Sequence, residues 1–148
     1  MQPASLDRLD WQIIEMLSEN GRVANSAIGE KLGVTEGTIR QRIRRLMEVG
    51  VLRISGQVNP EFLEGHQLLL VGVNVGESSQ LMKVFERLGQ LPEVKSVAVL
   101  SGRYDLIIQV VVESNHGVIK FLSESLARIE GIRATETFIV LKTHNYWL

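Results

Sequence analysis

The 148-residue chain has no cysteine. That excludes a disulfide framework, a thiolate metal site and a cysteine nucleophile. It also lacks an excess of either charge. Sixteen Lys+Arg stand against seventeen Asp+Glu, for a formal charge of −1. A protein basic over its whole surface is excluded, although a local basic patch is not. Long apolar runs are missing as well. The longest uncharged stretch, Gly65 to Gly76, falls short of the roughly 20 residues that span a bilayer. The opening MQPASLDRLD has neither the basic start nor the apolar stretch of a signal peptide. A soluble, cytoplasmic protein with no membrane partner is expected. What is present, 45% hydrophobic and 22% charged residues, is an ordinary globular mixture for one domain or two small ones.

Charge and texture divide the chain. Residues 1–60 hold eight Lys/Arg and seven Asp/Glu, a net of +1; residues 61–148 hold eight and ten, a net of −2. The first part reads as helices, and the second has Val/Ile/Leu runs broken by Gly, Asn, Ser and Pro. The turn-rich Ser55-Gly56-Gln57-Val58-Asn59-Pro60 reads as a linker. The expected division is a first domain over 1–54, a linker over 55–65 and a second domain over 66–148.

In the first part Leu6, Leu9, Ile13, Met16 and Leu17 recur at helical spacing,. Asp7 or Ser5 can cap this helix, and Asn20-Gly21 can end it. A second helix fits Asn25 to Leu32, and Gly33 supplies a sharp turn. Thr35 can cap a third helix that runs to about Val49, with Gly50 as its stop. Val51-Leu52-Arg53-Ile54 and Gln57-Val58 suggest a short β-hairpin. The second part reads strand, helix, strand, strand, helix, strand: Gln67–Val75, a stripe from Leu81 to Leu88, Val94–Leu100, Tyr104–Val112, a stripe from Val118 to Ile129, and Thr135–Lys142. That βαββαβ order is the ferredoxin-like arrangement. The strands are more apolar than a half-solvated sheet requires, so one face should meet the helices and the other a second subunit.

The third helix carries the most information. Arg40, Arg42, Arg44 and Arg45 fall within six residues. Ile39, Ile43 and Leu46 define a buried side. At 100° per residue Gly37, Gln41 and Arg44 lie nearly opposite it, flanked by Thr38, Arg40 and Arg45, with Arg42 nearer the core edge. Such a helix fits a major groove, where Gln pairs with adenine, Arg with guanine, and outlying arginines hold phosphates. A charge run alone usually marks a solvated face. Here a short helix precedes it, Gly29 is small where the two helices would cross, and Gly33-Val34-Thr35 makes the turn. This is the layout of a helix-turn-helix, with the hairpin as a wing. Thr35, Gly37, Thr38, Arg40, Gln41, Arg42, Arg44 and Arg45 are the candidate contacts to double-stranded DNA.

These stretches resemble the Lrp/AsnC, or feast/famine, family of transcriptional regulators along nearly the whole chain. The likeness rests on Leu9-Asp10, Ile13-Ile14, Leu17 and Asn20-Gly21-Arg22. It continues through Leu32-Gly33-Val34-Thr35, Thr38-Ile39-Arg40, Arg42-Ile43-Arg44-Arg45-Leu46 and Gly50-Val51. In the second part Leu100-Ser101-Gly102-Arg103-Tyr104-Asp105-Leu106 and Thr135-Glu136-Thr137-Phe138-Ile139-Val140-Leu141 carry it. The resemblance implies an α+β chain: an N-terminal winged helix-turn-helix and a C-terminal βαββαβ, RAM-type domain for effector binding and oligomerisation. It also implies homodimers that assemble further, into octamers for instance. Gly29 replaces the family's more usual Ala, Gly37 lowers helix propensity at the start of the third helix, and Gln57-Val58 stands where relatives often have an aromatic residue. These departures bear on the operator sequence.

A second candidate site is the loop Ser101-Gly102-Arg103-Tyr104-Asp105. Gly102 permits close approach of a ligand. Asp105 can accept an α-ammonium group. Loop N–H groups, or the hydroxyls of Thr135 or Thr137, can hold a carboxylate, and Tyr104 can form one wall. The same residues allow a plainer reading: Gly102 serving a hairpin, Asp105 pairing with Arg103 or capping an N–H, the threonines facing solvent. The resemblance implies that this loop lines a small amino-acid effector site at a subunit interface.

No catalytic motif, cofactor or metal site emerges. His66, His116 and His144 lie far apart without ligand spacing, Ser101, Ser123 and Ser125 lack a nucleophile motif, and the glycines form no phosphate-binding fingerprint. Trp11 should pack or lie at the edge of the first helix, and Tyr146-Trp147-Leu148 should pack on its own domain or on a neighbouring subunit. An architectural DNA-binding protein without an effector would use the same residues. A tetrapyrrole decarboxylase, known on a related fold, needs arginines in the second part rather than on the third helix.

Overall fold

Leu9, Ile13, Met16 and Leu17 form one side of α1 (Arg8–Glu19), and that side closes on α2 (Asn25–Leu32) and α3 (Glu36–Glu48). A computed structural model describes residues 5–148. The chain divides between Gly56 and Gln57 into two compact units. In the first, Ile13, Leu17, Ile28 and Ile39 make the core, sealed by Leu9, Met16, Val23, Leu32, Val34, Ile43 and Leu52.

The turn between α2 and α3 is set by two glycines. Gly33 ends α2 at φ 69°, a left-handed conformation that costs glycine least. At Gly29 the next segment passes so close that an added Cβ would lie 2.7 Å from the Val34 carbonyl oxygen. Thr35 then caps α3, its hydroxyl accepting the Thr38 N–H at 3.2 Å.

α1 starts with a reciprocal cap. The Asp10 N–H donates to the Asp7 carboxylate at 2.9 Å, and the Asp7 N–H donates to the Asp10 carboxylate at 3.2 Å. Asp10 has no exposed surface. Its charge is matched by α3: Arg42 donates to Oδ1 at 3.1 Å and Arg45 to Oδ2 at 2.6 Å. Arg42 also reaches the Asp7 carboxylate. This cluster joins α1 to α3.

The hairpin expected from 51–54 and 57–58 is not formed; residues 51–59 carry no strand. Two N–H groups that would enter it, those of Val51 and Leu52, turn back to the Leu46 carbonyl at 2.9 and 3.1 Å. Val58 spends both backbone groups on Leu148, in bonds of 2.9 and 3.1 Å. It has none left for 51–54. Tyr146 and Leu148 are accordingly half-buried while Trp147 stays exposed.

The second unit is an antiparallel four-stranded sheet in the order β2-β3-β1-β4. Its elements are β1 (His66–Val75), α4 (Leu81–Gly89), β2 (Val94–Val99), β3 (Leu106–Glu113), α5 (Ser114–Lys120) and β4 (Ile132–Ile139). A wider π-helical segment, Phe121–Leu126, extends α5. Leu69, Val71, Val73 and Val75 alternate along β1 and meet the like-facing Leu106, Ile108, Val110 and Val112 of β3 beneath Val84, Leu88, Phe121, Leu126 and Ile129. The last strand lies three residues earlier than the Thr135–Lys142 expected: its pairing with β1 runs from Val75↔Ile132 to Leu69↔Ile139.

Asp10→Ala should loosen α1 from α3. It leaves two guanidinium groups without their buried partner and removes half of the cap. We expect amide-exchange protection in α1 to fall by about 2–3 kcal/mol. Asp7 gives a pH signature. Its carboxyl is held below the usual carboxylate range, first by the Asp10 N–H and then by Arg42. A depressed folded-state pKa stabilises fully above the unfolded value and is lost as pH falls through the folded one. The stability difference between the wild type and Asp7→Asn, followed by circular dichroism at neutral and acid pH, should therefore shrink on acidification.

Candidate functional site

On α3, Ile39 and Leu46 are fully buried and Ile43 half-buried. Gly37, Arg40, Gln41 and Arg44 are exposed, and Thr38 is half-buried beside them. Two surface ion pairs run along the helix, Arg40 with Glu36 and Arg44 with Glu48 at 2.9 Å. Their arginine side chains are 68% and 80% exposed. Exposed i,i+4 pairs contribute only a few tenths of a kcal/mol, so either guanidinium can leave its glutamate for a phosphate or a base edge.

Arg42 and Arg45 differ from the other two. Their partner is the buried Asp10, and Arg42 is 30% exposed. Breaking such a pair strands a desolvated carboxylate. Both tie α3 to α1, and Arg45, whose side chain is 47% exposed, also keeps an open edge. The Thr35 hydroxyl is likewise engaged at the helix cap. The outward face of α3 is Gly37, Thr38, Arg40, Gln41 and Arg44.

In the second unit Ser101–Tyr104 form a four-residue loop, closed by the Leu100 N–H donating to the Asp105 carbonyl at 2.9 Å. The Asp105 N–H donates to Val73 at 3.0 Å. The Asp105 carboxylate accepts the Val75 N–H at 2.8 Å. This is the backbone-capping role, and it takes up one carboxylate oxygen. Gly102 meets nothing within 4 Å of where a Cβ would stand, and Ser101 is exposed.

Tyr104 turns onto the sheet face away from the helices. Its ring lies over Gly72, where a Cβ would stand 2.6 Å from the ring carbon Cγ. Its hydroxyl donates to the Glu136 carboxylate. That bond first, and then burial, push the Tyr104 phenol above its usual pKa. Arg103 pairs with Glu136 at 3.0 Å and stands 5.4 Å over the Tyr104 ring. Phe138 meets the same ring edge-on at 6.3 Å.

Register explains this set. Gly72 pairs with Glu136 and Leu70 with Phe138, whereas Thr135 and Thr137 pair with Val73 and Val71 on the helix-covered side. The two threonines therefore lie on the opposite face from Tyr104, one residue away in a period of two. Glu136, Gly72 and Phe138 are the members that sequence reasoning passed over. A lone glycine inside an apolar strand is the signal that marks such a close approach.

Among the described residues no group of three His, Asp or Glu side chains converges to hold a metal ion. Among the same residues no helix is long and apolar enough to cross a membrane.

The comparisons with known proteins agree with this architecture. Residues 6–47 match the family model of the AsnC-type helix-turn-helix domain, and residues 68–146 that of the Lrp/AsnC ligand binding domain. The chain is 36% identical over 143 residues to the HTH-type transcriptional regulator FL11 of Pyrococcus furiosus, covering 94% of this chain and 91% of that protein. It is 27% identical over 142 residues to the leucine-responsive regulatory protein of Salmonella typhimurium, covering 93% and 85%. Among solved structures it superposes on the leucine response regulatory protein of Mycobacterium tuberculosis with a TM-score of 0.83 at 27% identity, covering 95% and 96%. On AsnC of E. coli the TM-score is 0.73 at 26% identity, covering 94% of each chain. The chain belongs to the Lrp/AsnC family of DNA-binding transcriptional regulators.

Proposed function

We propose that α3 enters the major groove with Gln41 and Arg44 reading base edges, Arg40 and Thr38 holding phosphates, and Gly37 leaving room for close approach at the helix start. The carrying observation is the partition of the arginines. Arg40 and Arg44 lie on the outward face in ion pairs that are easily exchanged, while Arg42 and Arg45 hold the helix in place. A dimer presents two such helices to a roughly palindromic site, about one helical turn apart. The free sheet face, with Leu70, Tyr104 and Phe138 upon it, is the surface on which subunits meet and further assembly builds. A small amino acid, bound beside the 101–105 loop at that interface, modulates DNA binding. The second family model, described as a ligand-binding domain, and the leucine-responsive relatives support this part of the reading.

Arg44→Ala should weaken specific binding by about 1–3 kcal/mol and relax base preference at one position. Unchanged affinity and preference would remove Arg44 from the reading face. The function as a whole is tested by fluorescence anisotropy on the DNA upstream of the protein's own gene. A scrambled duplex serves as the control, with and without a pooled amino-acid mixture. Preference for the upstream segment that shifts with the mixture is the expected result. Preference without a shift removes the amino-acid part, and no binding to either duplex at low salt, where phosphate contacts are strongest, removes the whole reading.

A further inference from the structure

At the end of the sheet away from the 101–105 loop, where β1 and β2 begin and β3 passes into α5, lies a cavity of about 570 Å³. We propose that it binds a small phosphorylated metabolite. Lys95 and Lys120 hold the phosphate, and Glu93 accepts a hydroxyl or amino group at the other end of the molecule. None of the three belongs to the 101–105 loop or to α3, so the site stands apart from both readings above.

Departures from regular structure meet at this cavity. Lys95 is the extra residue of a β-bulge: Val94 pairs with Val110 and Ser96 with Gln109, which leaves Lys95 without a partner on β3. Bulges re-aim a side chain and are frequent beside functional sites. Ser114, between β3 and α5, stands at φ 60°, a left-handed conformation uncommon for a residue with a side chain,. Its N–H donates to the Gly65 carbonyl at 2.6 Å, which holds it there. Phe121, a buried lining residue, begins the π-helical segment, and such widened turns recur at functional sites. Strained backbone of this kind clusters where ligands are held.

The side chains define the ligand. Glu93 lines the cavity, and its Oε1 accepts the Ser125 hydroxyl at 3.1 Å. Its Oε2 is closed off from water and has no hydrogen-bond partner, alone in this among the described residues. A buried acceptor without a donor is an unmet demand, and the soft terminal torsion of a glutamate lets it turn to a ligand O–H or N–H. Lys95 and Lys120 are exposed, and among the described residues neither is in an ion pair. Glu113, the other carboxylate at the cavity, stands opposite His66 and leaves both lysines free. A phosphate monoester carries about −1.5 to −2 charges at neutral pH, which two lysines match and a single carboxylate does not. Pro92, Val111 and Phe121 give apolar lining for the body of the molecule. The volume lies within the roughly 300–1,000 Å³ of small-molecule sites.

The test is calorimetry on the full chain with AMP, CMP and glucose 6-phosphate, with adenosine, cytidine and glucose as their unphosphorylated counterparts, and with inorganic phosphate. One of the organic phosphates should bind more tightly than its counterpart and than inorganic phosphate. Lys95→Gln and Lys120→Gln should each weaken it about tenfold or more. Glu93→Gln keeps an acceptor for the Ser125 hydroxyl but puts an amino group where Oε2 stands. It should weaken the organic phosphate and leave inorganic phosphate unaffected. Unchanged circular dichroism spectra of the three variants show that the fold is kept. The arginines of α3 also attract phosphate, so the Arg40→Gln, Arg44→Gln double variant locates the binding. If that variant loses the ligand while the lysine variants keep it, the phosphate sits on α3 and the assignment is overturned. It is overturned as well if no organic phosphate binds the wild type, if the unphosphorylated counterpart binds equally, or if Glu93→Gln has no effect. Binding of inorganic phosphate as tight as that of every organic phosphate reduces the cavity to an adventitious anion contact and overturns it too.

Discussion

A carboxylate with no contact to water must be paired, and at Asp10 that requirement organises the first unit. Taking an ion out of water costs several kcal/mol unless opposite charge and hydrogen bonds replace the solvent. Asp10 obtains both, from Arg42, Arg45 and the Asp7 N–H. The arrangement fixes the start of α1 against the middle of α3 and, with Gly29 and Gly33, sets how α3 stands. It also divides the arginines of α3 by partner: two meet the buried Asp10 and two meet exposed glutamates.

In the second unit the equivalent constraint is the period of two along β1 and β4. β1 lies between β3 and β4 and is apolar on both faces. One face carries Leu69, Val71, Val73 and Val75 into the core. The other faces the cluster of Tyr104, Arg103, Glu136 and Phe138. Because Gly72 has no side chain, the Tyr104 ring occupies the volume that one would fill, and the loop is anchored to the sheet at this point. A single residue's shift of β4 would replace Glu136 by a threonine and leave Arg103 without its partner.

The helices, the strand order and most boundaries could be read from spacing alone, since each unit buries one regular apolar stripe and ends at a glycine or a cap. Thr35, Gly33 and Asp7 serve as their residue types suggest. Three features could not be read. Whether Val58 pairs with 51–54 or with Leu148 depends on a partner some ninety positions away. The division of the arginines depends on Asp10, an acidic residue at a helical position like any other until its burial is known. The choice between Thr135, Glu136 and Thr137 depends on register, which a single strand does not carry. Each is a long-range pairing.

The ion pairs of the two units fall into two kinds, set by the exposure of the carboxylate. Arg42 and Arg45 meet a carboxylate without exposed surface, and losing it would leave a buried charge,. Arg40, Arg44 and Arg103 meet glutamates that keep much of their contact with water. Water compensates those glutamates when the arginine leaves, so the exchange needs only a competing acceptor of comparable strength. On this argument the near-zero net charge of the chain is compatible with DNA binding, because the acidic residues nearest the outward arginines are the ones most easily exchanged.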